Sequence, residues 1–185
     1  MESITLKQYK ELSVSRKLVY DPLNSLEPNM MFNGHTFNIN DLTWEEVKGV
    51  FKTLAKFSDW KHAFDIYETC YKISEDVFWS ANIIDYFASK QYLVQTFKKL
   101  KDNESRLLRS QDVDEVLWNE AGGQRLDPFS DTLPLMQLGE IYGLYPLDLK
   151  TRPYNEIMFL LVAHKNKSEV NSKFDELKKK IKNNG

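Results

Sequence analysis

The stretch DLTWEEVKGVFKTL, residues 41–54, decides the fold. Thr43 followed three positions later by Glu46 is a capping box, in which each side chain satisfies a backbone N–H that a helix start leaves unbonded. Beyond it Val47, Val50, Phe51 and Leu54 recur at helical spacing and form one apolar face. Glu45 and Glu46 read as first-turn acids that favour the positive end of the helix dipole rather than as a catalytic carboxylate pair.

The same grammar extends in both directions. Upstream, Thr5 with Gln8 makes another capping box, and Leu6, Tyr9 and Leu12 predict a helix over residues 6–19 that Asp21-Pro22 ends. Pro28 keeps the next segment irregular, and Asn33-Gly34 between short apolar flanks predicts a small β-hairpin near 30–39. Downstream, Ser58 caps a third helix with Trp60, Phe64, Tyr67 and Tyr71 inward. Ser74 caps a fourth, running over 75–109 with a break and burying Ile84, Phe87, Leu93, Phe97 and Leu100. Trp44, Trp60 and Trp79 lie on apolar helical faces and read as core.

Residues 111–141 change character, with seven acids against Arg125 alone. They read as a short helix, a loop, and a helix capped by Thr132 with Pro134 in its first turn, which Gly143 stops. Pro146–Lys150 makes a turn or short helix. Pro153 then opens a long last helix to about residue 182, its first half apolar on most sides and therefore buried, its KFDELKKKIKNN half solvated. The expected fold is all-α, roughly six helices in a single domain over 1–185. It has an N-terminal helical part over 1–110 and a C-terminal part over 111–185 that holds the acidic segment and the lysine-rich helix.

The bulk numbers narrow the function. A chain of 185 residues with 42% hydrophobic and 28% charged residues has the profile of a globular domain able to bury a core. A net charge of −2 supplies no global field for nucleic acid or an anionic membrane. The longest apolar run, 157–163, falls far short of the roughly 20 residues of a membrane span, and no signal-peptide pattern opens the chain. One cysteine, Cys70, excludes an internal disulfide and fits a reducing compartment. On its apolar helical face it reads as a small buried hydrophobe.

No motif carries chemistry. The pair Gly122-Gly123 lacks the surroundings of a phosphate loop and reads as a backbone turn. His35, His62 and His164 show no metal-ligand spacing. Asp112-Val113-Asp114 starts like a calcium loop, but Val116 stands where that loop needs a ligand. No cofactor or metal is expected. Trp118, an aromatic in an acidic segment, reads equally as a partner anchor or as local packing.

Two longer stretches carry a resemblance: AGGQRLDPF at 121–129 and LPLMQLGEIYGLYPLDLKTRPYNEIMFLLVAHKNKSEV at 133–170. They resemble the C-terminal half of small helical proteins from the structural modules of tailed bacteriophages, of the tail assembly chaperone type or related tail and neck components. Ala121, Gly122, Leu126, Phe129, Pro153, Tyr154 and Lys165 occupy the recurring places. ITLKQYKEL and LTWEEVKGV match the Thr-capped helices of the front half, whereas EIYGLYPLDLKT lacks the Gly-Asp pattern of some members. The resemblance implies a non-enzymatic assembly or virion protein, found in the host cytoplasm during assembly or in the virion. Its implied partners are other phage structural proteins, among them tail, neck or tape-measure components.

The residues themselves add a charge contrast. Residues 111–141 carry −6 and residues 164–185 carry +4, which suits head-to-tail contact in a homo-oligomeric ring or, equally, pairing within one chain. The candidate interface is therefore Asp112, Asp114, Glu115, Trp118, Gly122, Gly123, Arg125, Lys178, Lys179 and Lys180. Two other classes compete with this reading: a nucleic-acid-associated protein using the lysine tail, and a helical enzyme whose pocket converges only on folding.

Overall fold

A computed structural model describes residues 4–108 and 115–183, with the backbone alone described at residues 115, 116, 118, 182 and 183. Among these residues the fold is all-α, with one two-stranded hairpin and a long C-terminal helix. Ten α-helices replace the roughly six expected, because several predicted helices are divided into short ones. The chain falls into two compact units, the first ending at Asp102 and the second beginning at Asn103.

In the first unit, α1 (Leu6–Glu11) starts with the Thr5–Gln8 capping box. The predicted helix over 6–19 does not continue. Leu12 and Ser13 are extended, α2 covers only Val14–Lys17, and a 3-10 helix follows over Leu18–Ser25. The Ser13 and Ser15 hydroxyls, 3.2 Å apart, bond to each other, and Ser13, extended at ψ 156°, stands at the N-cap of α2 and so restarts the helix there. Pro22 sits inside the 3-10 helix instead of ending it, since its fixed φ suits that backbone.

The hairpin pairs β1 (Met31–Phe32) with β2 (His35–Thr36). Asn33 and Gly34 take φ of 47° and 80°, the turn their residue types demand. Its single inward side chain, Phe32, is fully buried. A short 3-10 turn over Ile39–Asp41 leads into α3 (Trp44–Thr53), where both halves of the Thr43–Glu46 box are formed.

Helix α4 (Trp60–Tyr71) is capped by Asp59, which accepts from the amides of Lys61 and His62, and not by the predicted Ser58. An aspartate carboxylate one residue nearer the helix is the stronger acceptor for these amides. The break predicted within the fourth helix falls between α5 (Glu75–Ser80) and α6 (Ile83–Leu108). Because α6 restarts with its own phase, Ile83 is buried and Ile84, expected inward, is exposed. Trp60 and Trp79 are half-buried rather than core, their rings 5.6 Å apart.

The core of this unit centres on Tyr67. Its ring meets Phe32, Tyr71, Phe78 and Tyr86 within 4.4–5.5 Å. Its hydroxyl donates to the Tyr86 carbonyl at 2.9 Å and meets the Ser89 hydroxyl at 2.7 Å. A fully buried phenol is tolerated because these partners replace water.

The second unit comprises the end of α6, α7 (Glu115–Glu120), a 3-10 helix over Gly123–Phe129, α8 (Leu133–Tyr142), α9 (Pro146–Leu149) and α10 (Tyr154–Asn183). Thr132 stands at the start of α8 without making the predicted side-chain cap. The 3-10 helix runs almost directly into α8, so Thr132 keeps helical φ and ψ, whereas a capping residue needs an extended backbone. At Gly139 a Cβ would lie 2.7 Å from the Leu144 carbonyl oxygen and 2.9 Å from Pro146 Cγ. That missing side chain is what lets α8 turn tightly into α9.

Candidate contact surface

The predicted interface residues fare unequally. Asp112 and Asp114 lie outside the described residues, and Glu115 and Trp118 are placed only by their backbone, in α7. Gly122 takes φ of 80° and follows α7 as its turn. Its amide bonds the Asn119 carbonyl at 3.0 Å, and its own carbonyl accepts from Arg125 N at 3.0 Å. Gly123, next to it, is buried. Gly122 thus makes the backbone reversal read from the sequence, while Gly123 opens the 3-10 helix that follows. Arg125 is exposed beside it, and Lys178, Lys179 and Lys180 are exposed on α10.

Three buried side chains of α10 form the inner side of its first half: Tyr154, Ile157 and Leu161. Leu135 and Leu138 of α8 and Leu149 of α9 are the other buried apolar residues of this unit, in which α8 contacts both α9 and α10. Two polar contacts tie α10 to the end of α6. The Tyr154 hydroxyl donates to Glu104 Oε2 at 2.9 Å, and Lys165 Nζ donates to the Leu107 carbonyl at 3.0 Å. Burial first, and the Glu104 carboxylate second, push the Tyr154 hydroxyl well above its usual range, so it stays a neutral donor.

A groove of about 870 Å³ runs between α8 and α10, lined by Leu133, Pro134, Gln137, His164, Lys165 and Ser168 among others. Lys165 is engaged there, with the Leu107 carbonyl and with Glu169 at 3.6 Å.

The opposite side of α10 departs from the sequence reading. The first half was expected to be buried, yet Phe159 is 72% exposed. The second half was expected to be a solvated polar helix, yet Val170, Phe174, Leu177 and Ile181 stand 65%, 55%, 58% and 74% exposed. At about 100° per residue these five side chains fall on one line. The signal was present in the 4-3-4 spacing of 170–181, interleaved with four lysines.

Elsewhere the Tyr71 hydroxyl is buried without a hydrogen-bond partner among the described residues, and two further polar groups are settled by their surroundings. The His62 ring meets its own helix cap, Asp59, at 2.9 Å, and this bond holds the Asp59 carboxyl below its usual range. Cys70 is buried, and burial pushes its thiol well up, the opposite of what a nucleophile needs. Among the described residues no three His, Cys, Asp or Glu side chains are grouped to hold a metal ion, and no helix is long and apolar enough to cross a membrane. Compared with known protein families, curated proteins and solved structures, the chain matches none.

Proposed function

We propose that the protein works by binding another protein, and that the unit from Asn103 onward carries the contact. One observation supports this above others. Among the described residues, fourteen of the twenty exposed large apolar side chains belong to that unit, which holds six of the thirty buried hydrophobic residues of any size. A folded unit that leaves more large apolar side chains in water than in its core is suited to being completed by a partner. The first unit shows the reverse balance and reads as the scaffold.

The resemblance of residues 121–129 and 133–170 to tailed-phage tail assembly chaperones and neck components gives this contact a setting. The partner is then a tail, neck or tape-measure protein, met in the host cytoplasm during assembly or retained in the virion. The protein acts by surface complementarity and transforms no molecule.

Coexpression with the product of each neighbouring gene tests this, read by hydrogen exchange on any complex that forms. The expected result is a defined complex in which protection rises within 103–185. Protection confined to residues 4–102 overturns the contact reading, and no complex with any neighbouring product overturns its phage setting.

A further inference from the structure

We propose that the second half of α10 is a docking strip for an acidic amphipathic helix of a partner protein. The proposal rests on the contact reading above and names the chemistry of the partner. Val170, Phe174, Leu177 and Ile181 occupy a sector about 60° wide, at 100° per residue. Their 4-3-4 spacing is the seam of a two-helix coiled coil, narrower than the apolar face, at least about 100° wide, of a helix laid on a larger surface. All four are exposed.

The flanks of that seam define what fits it. Lys173 and Lys180 border it on one side and Lys178 on the other, with the Lys178 amine 4.3 Å from the centre of the Phe174 ring. The acids of the same segment, Glu169, Asp175 and Glu176, fall on the opposite half of the helix. A second copy of this chain placed on the strip, parallel or antiparallel, would set lysine against lysine along both edges. A helix with carboxylates beside its apolar seam meets each lysine with an opposite charge. The narrow seam also argues against a lipid surface, which engages a broad apolar face.

The test uses the full chain and two fluorescently labelled designed peptides of three heptads. Both carry leucine in the seam; one has glutamate and the other lysine at the flanking positions. Anisotropy should report binding of the glutamate peptide alone, weakening as salt rises. Phe174→Glu combined with Leu177→Glu should weaken it about tenfold or more, with circular dichroism and thermal midpoint unchanged because both side chains are exposed. Lys173→Glu, Lys178→Glu and Lys180→Glu together should transfer preference to the lysine peptide.

Four results would each overturn the proposal: equal binding of both peptides, binding of neither, a dimer of the chain that Phe174→Glu dissolves, or preference for phosphatidylserine vesicles over the glutamate peptide. A complex with a neighbouring gene product that survives the Phe174 and Leu177 changes sinks the strip and leaves the contact reading standing. Charge-selective peptide binding without any such complex sinks the phage setting and leaves the strip.

Discussion

Two glycines show how a single residue's surroundings set the sign of a mutation. Gly49 lies exposed within α3, and a Cβ there meets nothing within 4 Å. Gly49→Ala should stabilise by about 1 kcal/mol, since alanine loses less backbone freedom in a helix. Gly139→Ala adds the same methyl group against a backbone oxygen 2.7 Å away, and should destabilise by about 2 kcal/mol. Urea unfolding of both variants checks the opposite signs. A second residue-scale case is Glu46, which completes the α3 capping box and pairs with Lys72. Burial alone would raise its carboxyl, but the Lys72 and Thr43 hydrogen bonds outweigh it and hold the carboxyl below the ordinary 4.5. A depressed folded value means that unfolding takes up a proton. The stabilisation is therefore whole above pH 4.5 and is lost as pH falls through the folded value. Both side chains are partly exposed, so screening keeps the effect below about 1 kcal/mol. Thermal midpoints of wild type and Glu46→Gln should differ by a constant amount near neutrality and converge on acidification; a gap that persists in acid contradicts this assignment.

At the scale of elements, α10 joins two segments with different work. Its first half is held by Tyr154, Ile157 and Leu161, while no residue after Leu161 is buried among those whose side chains are described. A chain ending at Asn166 should therefore melt within about 2 °C of the full chain. The Lys165–Glu169 pair that it loses is partly exposed, worth under about 1 kcal/mol. Calorimetry of the two chains measures it, and a large drop would mean that the second half is structural after all. The same helix shows what the sequence made legible. Starts written by side chain against backbone were readable: the boxes at Thr5 and Thr43, the Asn33-Gly34 turn, the Gly143 stop. Such signals are complete within three or four residues. The break at Ser13, the shift of a cap from Ser58 to Asp59, and the exposure of Ile84 were not readable, because each depends on the phase in which the next element begins. For the contact surface, the lysines and the glycine turn were visible as residue types. The apolar line between those lysines was not recognised, because whether an apolar helical face is covered is decided by the rest of the chain.

For the whole molecule, the uneven division of core predicts uneven stability. The first unit surrounds Tyr67 with stacked and edge-on rings and keeps its phenol fully bonded. The second rests on six buried apolar side chains among the described residues. Opening free energy follows buried apolar contact, so amides in the middle of α4 should exchange about tenfold or more slowly than those in the middle of α8. Unfolding then need not be one cooperative step, and a single midpoint would average two transitions. A partner that binds the folded second unit stabilises it by mass action. The complex should therefore show the α8 and α10 amides rising toward the protection of α4, while α4 itself stays where it was. Native-state exchange with and without partner separates this from a uniform rise, which would instead mean that both units open together and that the core asymmetry has no energetic consequence. The sparse core and the exposed line on α10 then have one physical origin: the apolar side chains that would have completed this unit are turned outward, where a second protein can cover them.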